Sequence, residues 1–167
     1  MQNLSNDQSA GLELIFSAKA GNFFTSNLSA NLFYNTIDGT DMGFNVKRSI
    51  YSMNTNFNST FTLTKNTMLQ ISSNFRSARL TPQGKTYGTF VFNAGIRQDL
   101  FNKKISVTLT GSDLFKTLKQ KTELNTPFLK QVSIGTRDAR IIYLGIAYRF
   151  GKTTTKAEEK LQYDNNL

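Results

Sequence analysis

The chain has no cysteine, no histidine and no tryptophan, and only two prolines in 167 residues. Without cysteine there are no disulfide staples and no thiolate metal sites, and nothing indicates a redox compartment. Without histidine as well, the common catalytic triads and zinc ligand sets lack their material. The carboxylates do not replace them. Asp38, Asp41, Asp99, Asp113 and Asp138 stand singly in loops or at strand ends, with no carboxylate pair and no glycine-rich phosphate loop. The expectation is a protein that is not an enzyme and uses neither cofactor nor metal.

A long hydrophobic run is missing too. The longest apolar or small stretch, Ile141 to Tyr148, is less than half of the roughly 18 to 20 residues that carry a helix across a bilayer. Hydrophobic residues make up 38% of the chain and its mean hydropathy is negative, which is thin for a thick globular core. Neither value excludes a membrane. A closed barrel satisfies its backbone in lipid with alternating strands that look only moderately hydrophobic in total. The first ten residues show no positively charged start and no apolar stretch, so a secretory leader is expected to have been removed or to lie upstream.

What the chain does have is alternation. Ile142, Leu144, Ile146, Tyr148 and Phe150 fall on one face of a strand, because strand side chains alternate sides. That face ends in two aromatics, where an interfacial girdle belongs. From Ile50 to Leu63, Tyr51, Met53, Phe57, Phe61 and Leu63 share a face with Thr55 and Ser59, opposite Ser52, Asn54, Asn56, Asn58, Thr60 and Thr62. A soluble sandwich also alternates, but a nearly uncharged Asn/Ser/Thr face suits a hydrated lumen better than bulk surface.

The same pattern recurs along the chain. Leu12 to Ala18 and Phe23 to Asn35 flank Gly21-Asn22 as a tight hairpin. Thr67 to Arg79 carries Leu69, Ile71 and Phe75 on one side, and Phe90 to Ile96 pairs with Ile105 to Leu109 across a turn at Phe101-Asn102-Lys103. Large loops are predicted at Thr36 to Lys47 and at Leu80 to Lys85. From Gly111 to Gln131 the pattern blurs, and two long strands projecting beyond the bilayer are predicted to meet near Pro127.

Connections therefore alternate short and long, as tight periplasmic turns and large extracellular loops do. The predicted fold is all-β, an antiparallel up-and-down meander of about seven long strands. Seven is odd, whereas single-chain bacterial barrels usually have even counts, so the chain reads as the C-terminal segment of a larger transmembrane β-barrel. Its sheet is expected to be open, with free edges near Leu12 and Leu144. The organisation expected is an N-terminal loop segment at 1–9, barrel strands at 10–151 and a polar periplasmic tail at 152–167. Tyr51, Met53, Phe57, Phe61, Phe90, Phe92, Ile105, Val107, Leu144 and Ile146 are predicted to face lipid, and Asn54, Asn56, Asn58, Thr108, Thr110 and Arg149 a hydrated lumen.

The formal charge of +9 raises the question of nucleic acid. Lys65, Lys85, Lys103, Lys104, Lys116, Lys119, Lys121, Lys152, Lys156 and Lys160 are scattered over turns, strand ends and the tail, not gathered in a stripe with interleaved aromatics. No nucleic-acid partner is expected. Solvated loop charge, with some contact to anionic lipid headgroups, accounts for them.

Several segments together resemble the C-terminal barrel of the Bacteroidota outer-membrane β-barrel family related to TonB-dependent receptors. They are Gly11-Leu12-Glu13-Leu14, Leu63-Thr64-Lys65 with Leu69-Gln70, Thr81-Pro82-Gln83-Gly84, Gly95-Ile96-Arg97 with Leu100-Phe101 and Lys104, Ser112-Asp113-Leu114-Phe115, and Tyr148-Arg149-Phe150-Gly151-Lys152. Tyr143, Gly145, Tyr148 and Phe150 also resemble the terminal assembly signal read by the outer-membrane barrel insertion machinery. The resemblance implies a barrel of about twenty-two strands filled by an N-terminal plug, moving a bulky ligand inward with energy from an inner-membrane TonB complex. This chain matches only the last part of that pattern, without plug, TonB-contacting segment or the earlier barrel strands. The expected role is the C-terminal wall of an outer-membrane receptor, partnered by outer-membrane lipid, the insertion machinery and the N-terminal barrel and plug of the same protein, and reaching TonB only through that missing part. Two alternatives stand beside it: a self-contained eight-stranded outer-membrane barrel with a structural or adhesion role, and a soluble β-rich binding module.

Overall fold

The computed structural model describes residues 6–38, 47–126, 128–136 and 140–150. Every regular element among them is a β-strand, and all pairings are antiparallel. Strands β1 (Asn6–Ala20), β2 (Phe24–Asp38), β3 (Lys47–Thr64), β4 (Thr67–Arg76), β7 (Thr89–Leu100), β8 (Ile105–Ser112) and β11 (Ile141–Tyr148) form a seven-stranded sheet in that order. Strands β5 (Arg79–Thr81), β6 (Gly84–Thr86), β9 (Lys119–Asn125) and β10 (Lys130–Thr136) form a second sheet, ordered β10-β9-β6-β5. The seven-stranded meander is the one its alternating residues predict, and the sheet is open, with β1 and β11 at its edges.

Local chemistry explains the tight turns. Ala20 pairs with Phe24 across Gly21-Asn22-Phe23, and Gly21 takes φ +52°, a left-handed conformation that costs glycine nothing. Leu100 pairs with Ile105 across a turn in which Phe101, Asn102 and Lys103 all have positive φ. The Lys104 amide donates to the Phe101 carbonyl at 3.1 Å to close it. Between β3 and β4 the register shifts at Thr62/Thr64, so Leu63 is one extra residue, a bulge at the end of the sheet next to the turn.

At the other end the structure corrects three expectations. Residues 6–9, assigned from sequence to a loop segment, are strand: they pair with Asp38, Ile37, Thr36 and Asn35 of β2, because backbone pairing needs no apolar side chains. Leu80 to Lys85, read as a loop, is a short β5–β6 hairpin turning at Pro82-Gln83. Three-residue strands are too short for alternation to show. Gly84 sits where β6 meets β9, and a Cβ there would lie 1.8 Å from the Glu123 carbonyl, so only glycine permits that approach.

The third correction concerns the two long strands expected to meet near Pro127: strands do meet there, with Asn125 paired to Lys130, but they are not continuous with the large sheet. β8 and β11 stay in the large sheet, while β9 and β10 pair with each other and, through β6, join the second sheet. Pro127 itself lies outside the described residues. The break after β8 is built by Asp113, which is 1% exposed and has φ +45°. Its carboxylate accepts from the Thr117 amide at 2.9 Å, the Leu118 amide at 3.1 Å and the Thr117 hydroxyl at 3.2 Å, and its own amide donates to Asn93 Oδ1 at 2.9 Å. The Leu114 amide reaches the Phe92 carbonyl at 2.9 Å, and the Phe115 ring packs on Phe92 at 5.0 Å. The chain is thus folded back onto β7 before β9 begins.

Burial pushes the Asp113 carboxyl up, but the Thr117 and Leu118 hydrogen bonds and the charge of Arg140 outweigh it and hold the group below the ordinary aspartate value. A depressed folded-state value stabilises the break above the unfolded value of about 3.9, and this contribution is lost as pH falls through the folded value. Asp113→Ala leaves two amides without their acceptor and is expected to destabilise the break by about 2–3 kcal/mol. Hydrogen exchange at Thr117 and Leu118 checks it; unchanged protection would mean that the ring packing alone holds the segment.

Candidate functional site

Antiparallel registry carries one face across the whole sheet, since directly paired residues share a side. Following the pairs gives apolar rows: Ala20–Phe24–Phe61–Leu69–Ile96–Leu109–Leu144, and Phe16–Leu28–Phe57–Ser73–Phe92. All ten residues predicted to face lipid lie on this side. Many of its large side chains are exposed, Tyr51 82% and Ile146 71%. The polar atoms on this face include Ser26 and Ser59, which are buried and donate to the Asn58 and Thr25 carbonyls at 3.4 and 3.5 Å. Hydroxyls bonded back to the backbone in this way need no water.

Aromatics mark both ends of the face. Tyr34 and Tyr51 pair at 4.9 Å on one side, and Phe24 and Phe61 at 5.0 Å on the other. Tyr51 and Phe61 are ten steps apart, about 33 Å at ~3.3 Å per residue. At the usual strand tilt of about 40° this projects to about 25 Å, the height of an outer-membrane apolar band.

The opposite face is polar. Its rows include Ser17–Asn27–Asn58–Ser72–Asn93 and Glu13–Asn31–Asn54–Arg76–Thr89. Side chains bond across strands: Ser17 Oγ to Asn27 Oδ1 at 2.9 Å, Asn74 Nδ2 to Asn56 Oδ1, and Asn93 Nδ2 to Ser72 Oγ at 3.2 Å. Asn54, Asn56, Asn58, Thr108 and Thr110 all lie here, as predicted. Ser72, Asn74 and Arg76 of β4 and Asn93 of β7 complete the face. On β4 this polar side is legible too, since Gln70, Ser72, Asn74 and Arg76 alternate as regularly as Leu69, Ile71 and Phe75.

Two cavities open on this polar side. The first, about 660 Å³, lies toward the second sheet, between Asn31, Asn54, Asn56, Asn74 and Arg76 and the residues Leu80, Pro82, Thr86 and Gln120. The β5–β6 hairpin is tied down beside it: Arg48 Nη2 donates to the Thr81 and Pro82 carbonyls at 3.3 and 3.0 Å, and Ser52 Oγ to the Ala78 carbonyl at 3.0 Å. Asn35, in the cavity wall, has a buried Oδ1 without a hydrogen-bond partner among the described residues. The second cavity, also about 660 Å³, lies at the tight-turn end and is lined by Thr62, Met68, Arg97, Asp99 and Arg149 with the turn residues Lys65, Asn66, Lys103 and Lys104. Arg149 thus lies where it was predicted, with the polar-face residues.

The four residues of the terminal signal are split between faces. Tyr143 and Gly145 lie opposite Thr110 and Thr108 on the polar side, while Tyr148 lies opposite Ile105 on the apolar side. Tyr148 meets the Phe150 ring edge-on at 4.6 Å. The end of β11 is stitched to the β7–β8 turn by the Arg149 amide on the Lys104 carbonyl at 2.8 Å and by Arg149 Nη1 on the Lys103 carbonyl. The polar tail at 152–167 lies outside the described residues. Among the described residues no cluster of carboxylates could hold a metal ion, and no helix is long and apolar enough to cross a membrane, which says nothing of crossing by strands.

Compared with known proteins, the chain matches the family model described as outer membrane protein beta-barrel family over residues 1–148. No curated protein and no solved structure matches it.

Proposed function

Starting from the premise that the chain belongs to the outer membrane protein beta-barrel family, we propose that it forms the C-terminal wall of a receptor of the TonB-dependent kind that takes up a ligand across the outer membrane. It is an outer-membrane barrel protein; the receptor role, the partners and the absence of catalysis are our reading. One observation carries it: a polar face made mostly of Asn, Ser and Thr that bonds across adjacent strands, opposite an apolar face of bilayer height. Such a pair of faces separates lipid from a hydrated lumen.

In this reading the tight turns and the tail are periplasmic, and the second sheet stands outside the cell. Residues earlier in the same protein supply the strands that close the open edges of β1 and β11, and a plug. Free edges would otherwise template aggregation. TonB acts through the plug and not through these strands. The insertion machinery reads the end of β11, and no catalytic residue, cofactor or nucleic acid takes part.

Single cysteines in an otherwise cysteine-free chain test the two faces. In membranes, Asn56→Cys is expected to react with a small water-soluble maleimide and Phe57→Cys to be protected. The reverse pattern would make a soluble fold preferable and end the receptor reading.

A further inference from the structure

The cavity at the tight-turn end has a chemistry that the rest of the polar face lacks. Five cations line it, Lys65, Arg97, Lys103, Lys104 and Arg149, against one carboxylate, Asp99. Asp99 is already satisfied. Arg97 grips it at 2.9 and 3.3 Å, and the Ser106 hydroxyl donates to it at 2.6 Å. The three lysines and Arg149 remain, a net +4 around about 660 Å³.

Backbone hydrogen bonds fix the turns that carry these charges. The Asp99 amide donates to the Asn66 carbonyl at 2.7 Å, tying the β3–β4 turn to β7, and Arg149 ties β11 to the β7–β8 turn. The carbonyls of Asn66, Lys103 and Lys104 are thereby occupied, and the nearby ammonium groups have no carboxylate partner among the described residues. A low-dielectric wall lined with one sign of charge focuses the field and concentrates counter-ions. Rings of Arg and Lys select anions in pores in this way.

We infer that this mouth of the lumen binds a small multivalent anion bearing phosphate or carboxylate groups, and so favours anionic ligands over cationic ones. The inference rests on the lumen reading above and adds the ligand class to it. The occupant is a soluble anion rather than a lipid headgroup, because Thr62, Met68, Arg97 and Asp99 in the cavity wall belong to the polar face and not to the apolar one.

The full chain, refolded in zwitterionic detergent and titrated with inorganic pyrophosphate, is expected to show saturable amide shifts at Asn66, Lys103, Lys104 and Arg149 that weaken with salt. The triple variant Lys65→Gln/Lys103→Gln/Lys104→Gln should weaken binding by about tenfold or more, and Lys103→Arg/Lys104→Arg should keep it, showing that charge and not folding is responsible. Undiminished binding by the triple variant, or shifts centred on Lys85 and Lys121, would overturn the site. If vesicles containing anionic phospholipid shift the same amides and pyrophosphate does not, the occupant is a headgroup and the soluble-anion inference falls. The cysteine labelling at Asn56 and Phe57 reads the lumen assignment separately, so normal labelling with no pyrophosphate binding would refute this inference alone.

Discussion

Phe57→Arg is expected to destabilise the protein refolded into lipid vesicles by about 2–4 kcal/mol, the cost of a cation near the middle of the lipid face of a barrel. Phe57 sits between the Tyr34–Tyr51 and Phe24–Phe61 aromatic pairs, paired with Leu28 on one side and Ser73 on the other, so the guanidinium has a long way to reach either interface. Asn56→Arg is one residue away and on the opposite face, beside Asn74. It should cost about 1 kcal/mol or less, since it loses one exposed side-chain hydrogen bond and leaves its charge in water. Urea titration followed by tyrosine fluorescence or by heat-modified gel mobility measures both. Equal losses at the two positions would mean that the faces do not meet different solvents, and the membrane-wall reading would fail at its base.

The second large effect concerns assembly rather than equilibrium. Phe150 is 87% exposed and touches Tyr148 edge-on, so Phe150→Asp forfeits about 0.5–1.5 kcal/mol of ring contact and adds about 0–1 kcal/mol for a charge near the interface. Refolding in vitro should therefore stay close to normal. If Tyr143, Gly145, Tyr148 and Phe150 act as the signal for insertion, the same variant in the full-length protein in cells should lose most of its surface-exposed population, and Phe150→Tyr should restore it. Quantitative surface labelling decides. Normal surface levels for Phe150→Asp would reduce Phe150 to a girdle aromatic, and a matching collapse of refolding would assign the loss to stability.

The division of labour between faces was legible in the residues because period two is a local property. Tyr51, Met53, Phe57 and Phe61 against Asn54, Asn56 and Asn58 need no knowledge of their neighbours to be sorted, and a register slip of one residue would have put all of them on the wrong side. The order of the seven strands followed from turns that announce themselves, such as Gly21-Asn22 and Phe101-Asn102-Lys103. The membrane face was readable for the same reason: lipid replaces a packed core, so the apolar residues are spread thinly over many strands.

Tertiary structure alone decided what depends on residues far apart in the chain. Asp113 reads as one more turn aspartate whose carboxylate accepts from Thr117 and Leu118 close by, and only Asn93 and Phe92 of β7, accepting from the Asp113 and Leu114 amides, fold that turn back onto the sheet and end β8. The β5–β6 hairpin exists because β9 supplies its partner strand and Arg48 holds its carbonyls; three residues on either side of Pro82-Gln83 have no period to detect. The basic mouth is drawn from residues near 65, 97–104 and 149, whose lysines look like scattered solvated charge along the sequence. They converge because the meander brings the β3–β4 turn, the β7–β8 turn and the end of β11 to the same end of one sheet.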